Sequence, residues 1–185
     1  IATTARREGG NYILRGQKIW ISTAQVADKM LVLARTAAAD AKPTDGLSLF
    51  YTNLDRRFVE AREIDKMGRK AVDSNLLFIE DLPVPEEHLV GAEGKGFDCI
   101  LHGLNPERIL IAAEALGVGR VALRRATAYA KERIVFGRPI GQNQGIQFPL
   151  ADSYAKLAAA ELVIRKASWL YDRGQPAGAE ANMAR

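Results

Sequence analysis

The stretch KGFDCILHGLNPERILIAAEALGVGRVALRRATAYAKERIVFG, residues 95–137, divides the chain into two kinds of sequence. Apolar residues recur in it at helical spacing: Phe97, Leu101 and Leu104, then Leu110, Ala113, Leu116, Val121, Leu123, Ala126 and Ala130. Pro106 either starts a new helix or kinks a longer one. As a start it is well formed. Asn105 can cap, Pro106 fits the first helical position, and Glu107 falls in the first turn, where the helix dipole favours a carboxylate. Gly117 and Gly119 lower helix propensity and so predict close approach of a second helix. Gly137 ends the segment, and FGRPIGQNQG (136–145) reads as a connector. A second long helix is expected from about Ile146 to Asp172, stopped by Gly174 and Pro176, and a third begins near Ala177. Two long helices with a short connector imply an antiparallel pair within a helical bundle.

Upstream, residues 1 to about 93 read as β. NYILRGQKIWIS (11–22) has strand-like runs on either side of Arg15-Gly16, a hairpin signal. KMLVLART (29–36), GLSLFYTN (46–53), RFVEAREID (57–65) and SNLLFIEDLPVP (74–85) supply further strands. In the second of these, Leu47, Leu49 and Tyr51 alternate with Ser48, Phe50 and Thr52. Turn residues separate the runs at Gly9-Gly10, Pro43 to Gly46, Asn53 to Arg56, Pro83 and Pro85. The expected class is α+β with segregated halves. Residues 1–93 form an antiparallel β-barrel or sandwich domain, and residues 94–185 form part of an antiparallel helical bundle. Helices and strands do not alternate, which excludes a doubly wound nucleotide fold.

Composition narrows the function classes. The chain has 185 residues, 48% hydrophobic and 26% charged, with a formal net charge of +4. These values suit an ordinary globular protein with a real core. The one basic stripe, Arg120, Arg124, Arg125, Lys131 and Arg133, fits a solvated helix face, so no nucleic-acid partner is expected. A single cysteine, Cys99, excludes an intrachain disulfide framework, and its apolar neighbours mark it as a packing residue. Two histidines and one cysteine, well separated, give no metal-site spacing. No apolar run reaches the ~20 residues of a membrane span. The chain opens at Ile1 in strand-like sequence and closes in the first turns of a helix, so a segment of a longer protein is expected.

Four stretches in this order resemble the acyl-CoA dehydrogenase family: RGQKIWIS (15–22), FIEDLPVP (78–85), Glu107-Arg108, and RIVFGRPIGQNQ (133–144). Each is a weak signal alone. Together they span almost the whole chain at similar spacing. The family has a helical, a β and a second helical domain, and this chain resembles most of the β domain and the first part of the last. Its glycine-rich loop would lie before Ile1 and the rear of its flavin site beyond Arg185. The resemblance implies FAD as cofactor and α,β-dehydrogenation of an acyl-CoA thioester to the trans-2-enoyl-CoA. It also implies an electron-transfer flavoprotein as acceptor, a homo-oligomer (dimer or tetramer), a place in fatty acid β-oxidation, and a bacterial cytoplasm or mitochondrial matrix. Two alternatives stay open: a related flavin oxidase or monooxygenase, and a non-catalytic assembly or binding module.

The same resemblance assigns roles to residues. Trp20, Ile21 and Ser22 match positions lining the flavin, with the Ser22 hydroxyl near its N5. On composition alone Trp20 would be a buried core aromatic. Arg133, Phe136, Asn143 and Gln144 match positions that reach the ADP part of FAD, in the family from the neighbouring subunit. The bland reading of these is a helix–helix turn. Asn105 and Arg108 match the substrate's CoA arm. Glu107 matches the catalytic base of a branch resembling isovaleryl-CoA and long-chain acyl-CoA dehydrogenases. Its other reading is a first-turn surface glutamate, and the base could also lie beyond Arg185.

Overall fold

The computed structural model of the chain describes residues 1–40 and 42–185, in two compact units, Ile1–Leu101 and His102–Arg185. The first unit is built on a sheet. Strand β1 (Thr4–Glu8) returns as β2 (Asn11–Ser22) through Gly9-Gly10, whose φ values of 55° and 80° suit a two-residue hairpin turn. Next come β3 (Lys29–Arg35), β4 (Leu47–Asn53), β5 (Val59–Glu63), β6 (Ser74–Pro85) and the short β7 (Leu89–Val90). They form one seven-stranded sheet in the order β5-β6-β2-β1-β3-β4-β7.

The expected antiparallel barrel or sandwich needs correcting. β1 pairs with β3 in parallel, and the outer strands β5 and β7 each bond on one side only, so the sheet is open and mixed. It nevertheless buries one of its faces against itself. Val59 of edge strand β5 shares a core cluster with Leu77 and Ile79 of β6, Tyr12 and Leu14 of β2, Val32 of β3 and Phe50 of β4. A strongly twisted sheet can cover its own apolar face in this way.

The hairpin expected at Arg15-Gly16 does not form: β2 runs unbroken for 12 residues. Gly16 serves a close approach instead. A Cβ there would stand 2.7 Å from Thr3 Cα, and the buried Thr3 hydroxyl donates to the Gln17 carbonyl at 3.1 Å. β4 is buried on both faces. Phe50 and Thr52 turn one way, while Leu47 and Leu49 pack with Leu33, Phe97 and Ile100 on the other. Its polar side chains are satisfied: Ser48 Oγ meets Thr36 Oγ1 and accepts from the Gly94 amide, both at 2.8 Å. Helix α1 (Gly96–Glu132) begins directly on this strand, where a Cβ on Gly96 would lie 2.3 Å from the Leu49 nitrogen.

In the second unit α1 continues through Pro106, so no helix starts there and Asn105 is not a cap. Glu107 is the twelfth residue of α1, far from the first turn and its dipole. The cost is the missing bond from residue 106 to the His102 carbonyl. A small hairpin, β8 (Ile134–Val135) and β9 (Arg138–Pro139), leads through a 3-10 turn, Ile140–Gln142, to α2 (Gln144–Asp172) and then α3 (Gly178–Ala184). Ile109 and Ala112 of α1 pack with Ile164 and Ala167 of α2 and Ala181 of α3, whereas Gly119 meets Leu157 and Gly141 meets Ala130. The partner residues descend along α2 as α1 ascends, so the pair is antiparallel, as its sequence predicts. Arg120 and Glu161 bridge the two helices. Gly119 marks their close approach, but Gly117 faces open space. No helix among the described residues is long and apolar enough to cross a membrane.

Two glycines of α1 should respond oppositely to the same change. Gly96→Ala forces backbone against backbone and should cost about 2–3 kcal/mol in urea unfolding. Gly103→Ala, in a helix interior with nothing within 4 Å of the new methyl, should gain about 0.5–1 kcal/mol.

Candidate functional site

The end of β2 is irregular where the sequence places Trp20, Ile21 and Ser22. Lys18 pairs with Leu77 of β6 and Ile21 with Asn75, so two β2 residues, Ile19 and Trp20, oppose Leu76 alone. This is a β-bulge, a feature that re-aims side chains and concentrates beside active sites. Trp20 sits at φ 62° and Thr23 at φ 60°, each costing about 1–3 kcal/mol for a residue with a Cβ. Trp20 is 61% exposed, which overturns the buried-core reading. Ser22 is exposed and Ile21 half-buried.

A polar group that sequence reasoning missed sits behind this stretch. Asn75, fully buried, donates to the Ile21 carbonyl at 3.0 Å and to the Asp73 carboxylate, and accepts from Gln25 Nε2 at 2.6 Å. Asp73 also accepts from the Gln25 amide at 3.2 Å, and its backbone carbonyl accepts from the Thr23 amide at 3.3 Å. Arg56 donates to the carbonyls of Ala24 and Gln25. The Asn75 amide, helped by the Gln25 backbone, holds the Asp73 carboxyl below its usual range. One signal could have found this group. Asn75 takes an inward position in line with Leu77 and Ile79, where a polar residue has to find partners.

On α1, Arg108 donates to Asn105 Oδ1 at 2.9 Å, one turn back along the helix. The start of α3 lies against the same amide: a Cβ on Gly178 would stand 3.7 Å from Asn105 Nδ2. Glu107 is exposed and has no ion-pair or hydrogen-bond partner among the described residues. Its neighbour Arg108 is bonded to Asn105 instead. At 100° per residue Glu107 points away from the Asn105–Arg108 side of the helix.

The connector residues divide into free and engaged. Ile134 pairs with Pro139 and Val135 with Arg138, leaving Phe136 at the hairpin tip with φ 52° and 100% exposure. The Arg133 side chain has no partner among the described residues. Gln144, the first residue of α2, is exposed. Asn143 is used within the connector: it accepts from Arg138 at 2.7 Å and donates to the Ile140 carbonyl at 3.0 Å.

Comparison with known proteins agrees with this organisation. The family model described as "Acyl-CoA dehydrogenase, middle domain" matches residues 1–82, and "Acyl-CoA dehydrogenase, C-terminal domain" matches residues 94–185. The chain belongs to the acyl-CoA dehydrogenase family. An acyl-CoA dehydrogenase of Bacillus subtilis (strain 168) is 39% identical over 186 residues, covering 100% of this chain and 48% of the relative. The structure of butyryl-CoA dehydrogenase from Megasphaera elsdenii is 34% identical with a TM-score of 0.84, covering 98% of this chain and 48% of that one. A structure described as the FAD complex of PigA is 29% identical with a TM-score of 0.88, covering 100% and 48%. The chain thus spans about half the length of the curated relatives it matches.

Stability measurements can separate structural from chemical roles. Glu107→Ala should leave unfolding free energy within about 0.5 kcal/mol, because the carboxylate holds nothing. Arg108→Ala should cost about 1–2 kcal/mol, since it releases Asn105 from a half-buried contact. Asp73 offers a pH test. Its depressed folded value means that its contribution is complete at pH above the ordinary 3.8 and fades as pH falls through the folded value. An NMR titration of its carboxyl should show this, and Asn75→Ala should move the midpoint back up.

Proposed function

We propose that the chain is part of an FAD-dependent dehydrogenase that converts an acyl-CoA thioester to its trans-2-enoyl form. The end of β2 carries the proposal. A large aromatic, Trp20, is held at positive φ and left mostly uncovered, with the Ser22 hydroxyl two residues on. A strained, exposed aromatic on a rigid strand suits a flat ring that can cover its face, and the hydroxyl suits a ring-edge nitrogen. The connector fits the rest of such a cofactor. The free fork of Arg133 suits a pyrophosphate, the bare ring of Phe136 suits adenine, and Gln144 is exposed at the start of α2. Ile21 contributes backbone at the flavin, whereas Asn143 contributes by shaping the connector. The FAD complex of PigA supports the choice of cofactor.

When bound, FAD would supply the acceptor for the substrate's β-hydrogen and its electron pair. Glu107 takes the α-proton, for which an unpaired carboxylate on a helix is suited. Asn105 and Arg108, joined to each other, offer an amide and a guanidinium to the CoA arm. An electron-transfer flavoprotein takes the electrons. Phe136, wholly exposed, and Ile134, 55% exposed, stand on the hairpin, which supports a homo-oligomer in which this tip reaches a neighbouring subunit. Exposed Leu110, Val118, Tyr154 and Leu162 on the helices support further burial in the assembled protein.

The full-length protein carrying this chain should purify yellow and bleach on addition of an acyl-CoA. Glu107→Gln should keep FAD while flavin reduction slows about 10²–10⁴-fold. A colourless protein would overturn the flavin reading. Reduction of the variant at the wild-type rate would move the base elsewhere.

A further inference from the structure

We propose that Asn75, with Asp73 and Gln25, is a positioning group that fixes the β2 bulge and so sets how Trp20 and Ser22 are presented. The inference rests on reading those two residues as cofactor-lining.

The bulge needs an outside constraint. Between Lys18 and Ile21 the ladder to β6 is interrupted, and positive φ values at Trp20 and Thr23 bracket Ile21 and Ser22. A strand relieved of that constraint can return to regular pairing. Taking out the one extra residue would then flip each following side chain to the other face of the sheet. Three features oppose this. The Asn75 amide takes the Ile21 carbonyl, the Asp73 carboxylate holds both the Asn75 amide and the Gln25 backbone, and the Gln25 side chain closes the ring on Asn75 and on the Ala61 carbonyl. Asn75 is completely buried and uses both its donor and its acceptor atoms, so its orientation is set by bonds on several sides. Arg56 continues the hold on the carbonyls of Ala24 and Gln25. The side chains that would meet a cofactor therefore stand on a segment whose shape is dictated by side chains that would not.

The test uses the full-length protein and two independent readouts. Hydrogen exchange followed by mass spectrometry reports on amides 21–27 with or without FAD. Asn75→Ala should speed their exchange roughly tenfold while β3 and β4 amides keep wild-type rates. With FAD bound, the same variant should shift the flavin absorption bands and midpoint potential, a change that general destabilisation would not produce. Gln25→Ala, an exposed site that leaves the Asn75–Ile21 bond in place, should show a smaller change of the same kind, and it decides the matter if Asn75→Ala fails to fold. Unchanged exchange at 21–27 would overturn the proposal, as would faster exchange with flavin bands and potential unmoved. A wild-type protein that binds no FAD would overturn the cofactor reading, and the exchange comparison would still judge whether Asn75 holds the bulge.

Discussion

The hydrogen bond from the buried Asn75 amide to the Ile21 carbonyl is where the sheet and the candidate site meet. It ties the first residue paired after the bulge to β6 by a side chain, and Trp20 in the bulge is exposed. A sheet with regular pairing here would be easier to fold and would place Trp20 elsewhere. Backbone strain at Trp20 and Thr23 persists because β6, the 22–25 turn and the Arg56 guanidinium over-determine the segment.

The helical unit follows a similar economy. Its catalytic candidate and its cofactor candidates carry almost none of the fold. Ile109, Ala112, Ile164 and Ala167 pack α1 on α2, and Arg138 with Asn143 shapes the entry to α2. The side chains of Glu107, Arg133 and Phe136 have no hydrogen-bond or ion-pair partner among the described residues. A carboxylate held by an arginine would be a poorer base, because the ion pair favours its charged form and opposes proton uptake. Arg108 is bonded to Asn105 instead.

Much of this was legible from residue order because it depends on local rules. Periodicity changed from two to about 3.6 near residue 94 and Gly9-Gly10 marked a turn of the right type, whereas α1 ends at Glu132, before the Gly137 that the sequence offered as its stop. The motif residues were named through a family resemblance, and of them Trp20, Ser22, Glu107, Phe136 and Gln144 are exposed. Errors arose where a local signal had two meanings. Gly16 looked like a turn residue and proved to be a contact residue for Thr3. Pro106 could start a helix or kink a longer one, and it lies inside the longer helix α1.

From sequence came the two-part α+β class, the antiparallel pairing of the long helices and the short list of residues with suitable chemistry. The first two follow from spacing and side-chain type within one stretch of chain, and the third from the resemblance of four short stretches to one family. Tertiary contacts settled the open sheet, the parallel β1–β3 pair, the outward Trp20 and the freedom of Glu107. These depend on partners far apart in sequence, such as Asn75 with Ile21 or Gly96 with Leu49. No local pattern encodes which distant group will meet a given carbonyl.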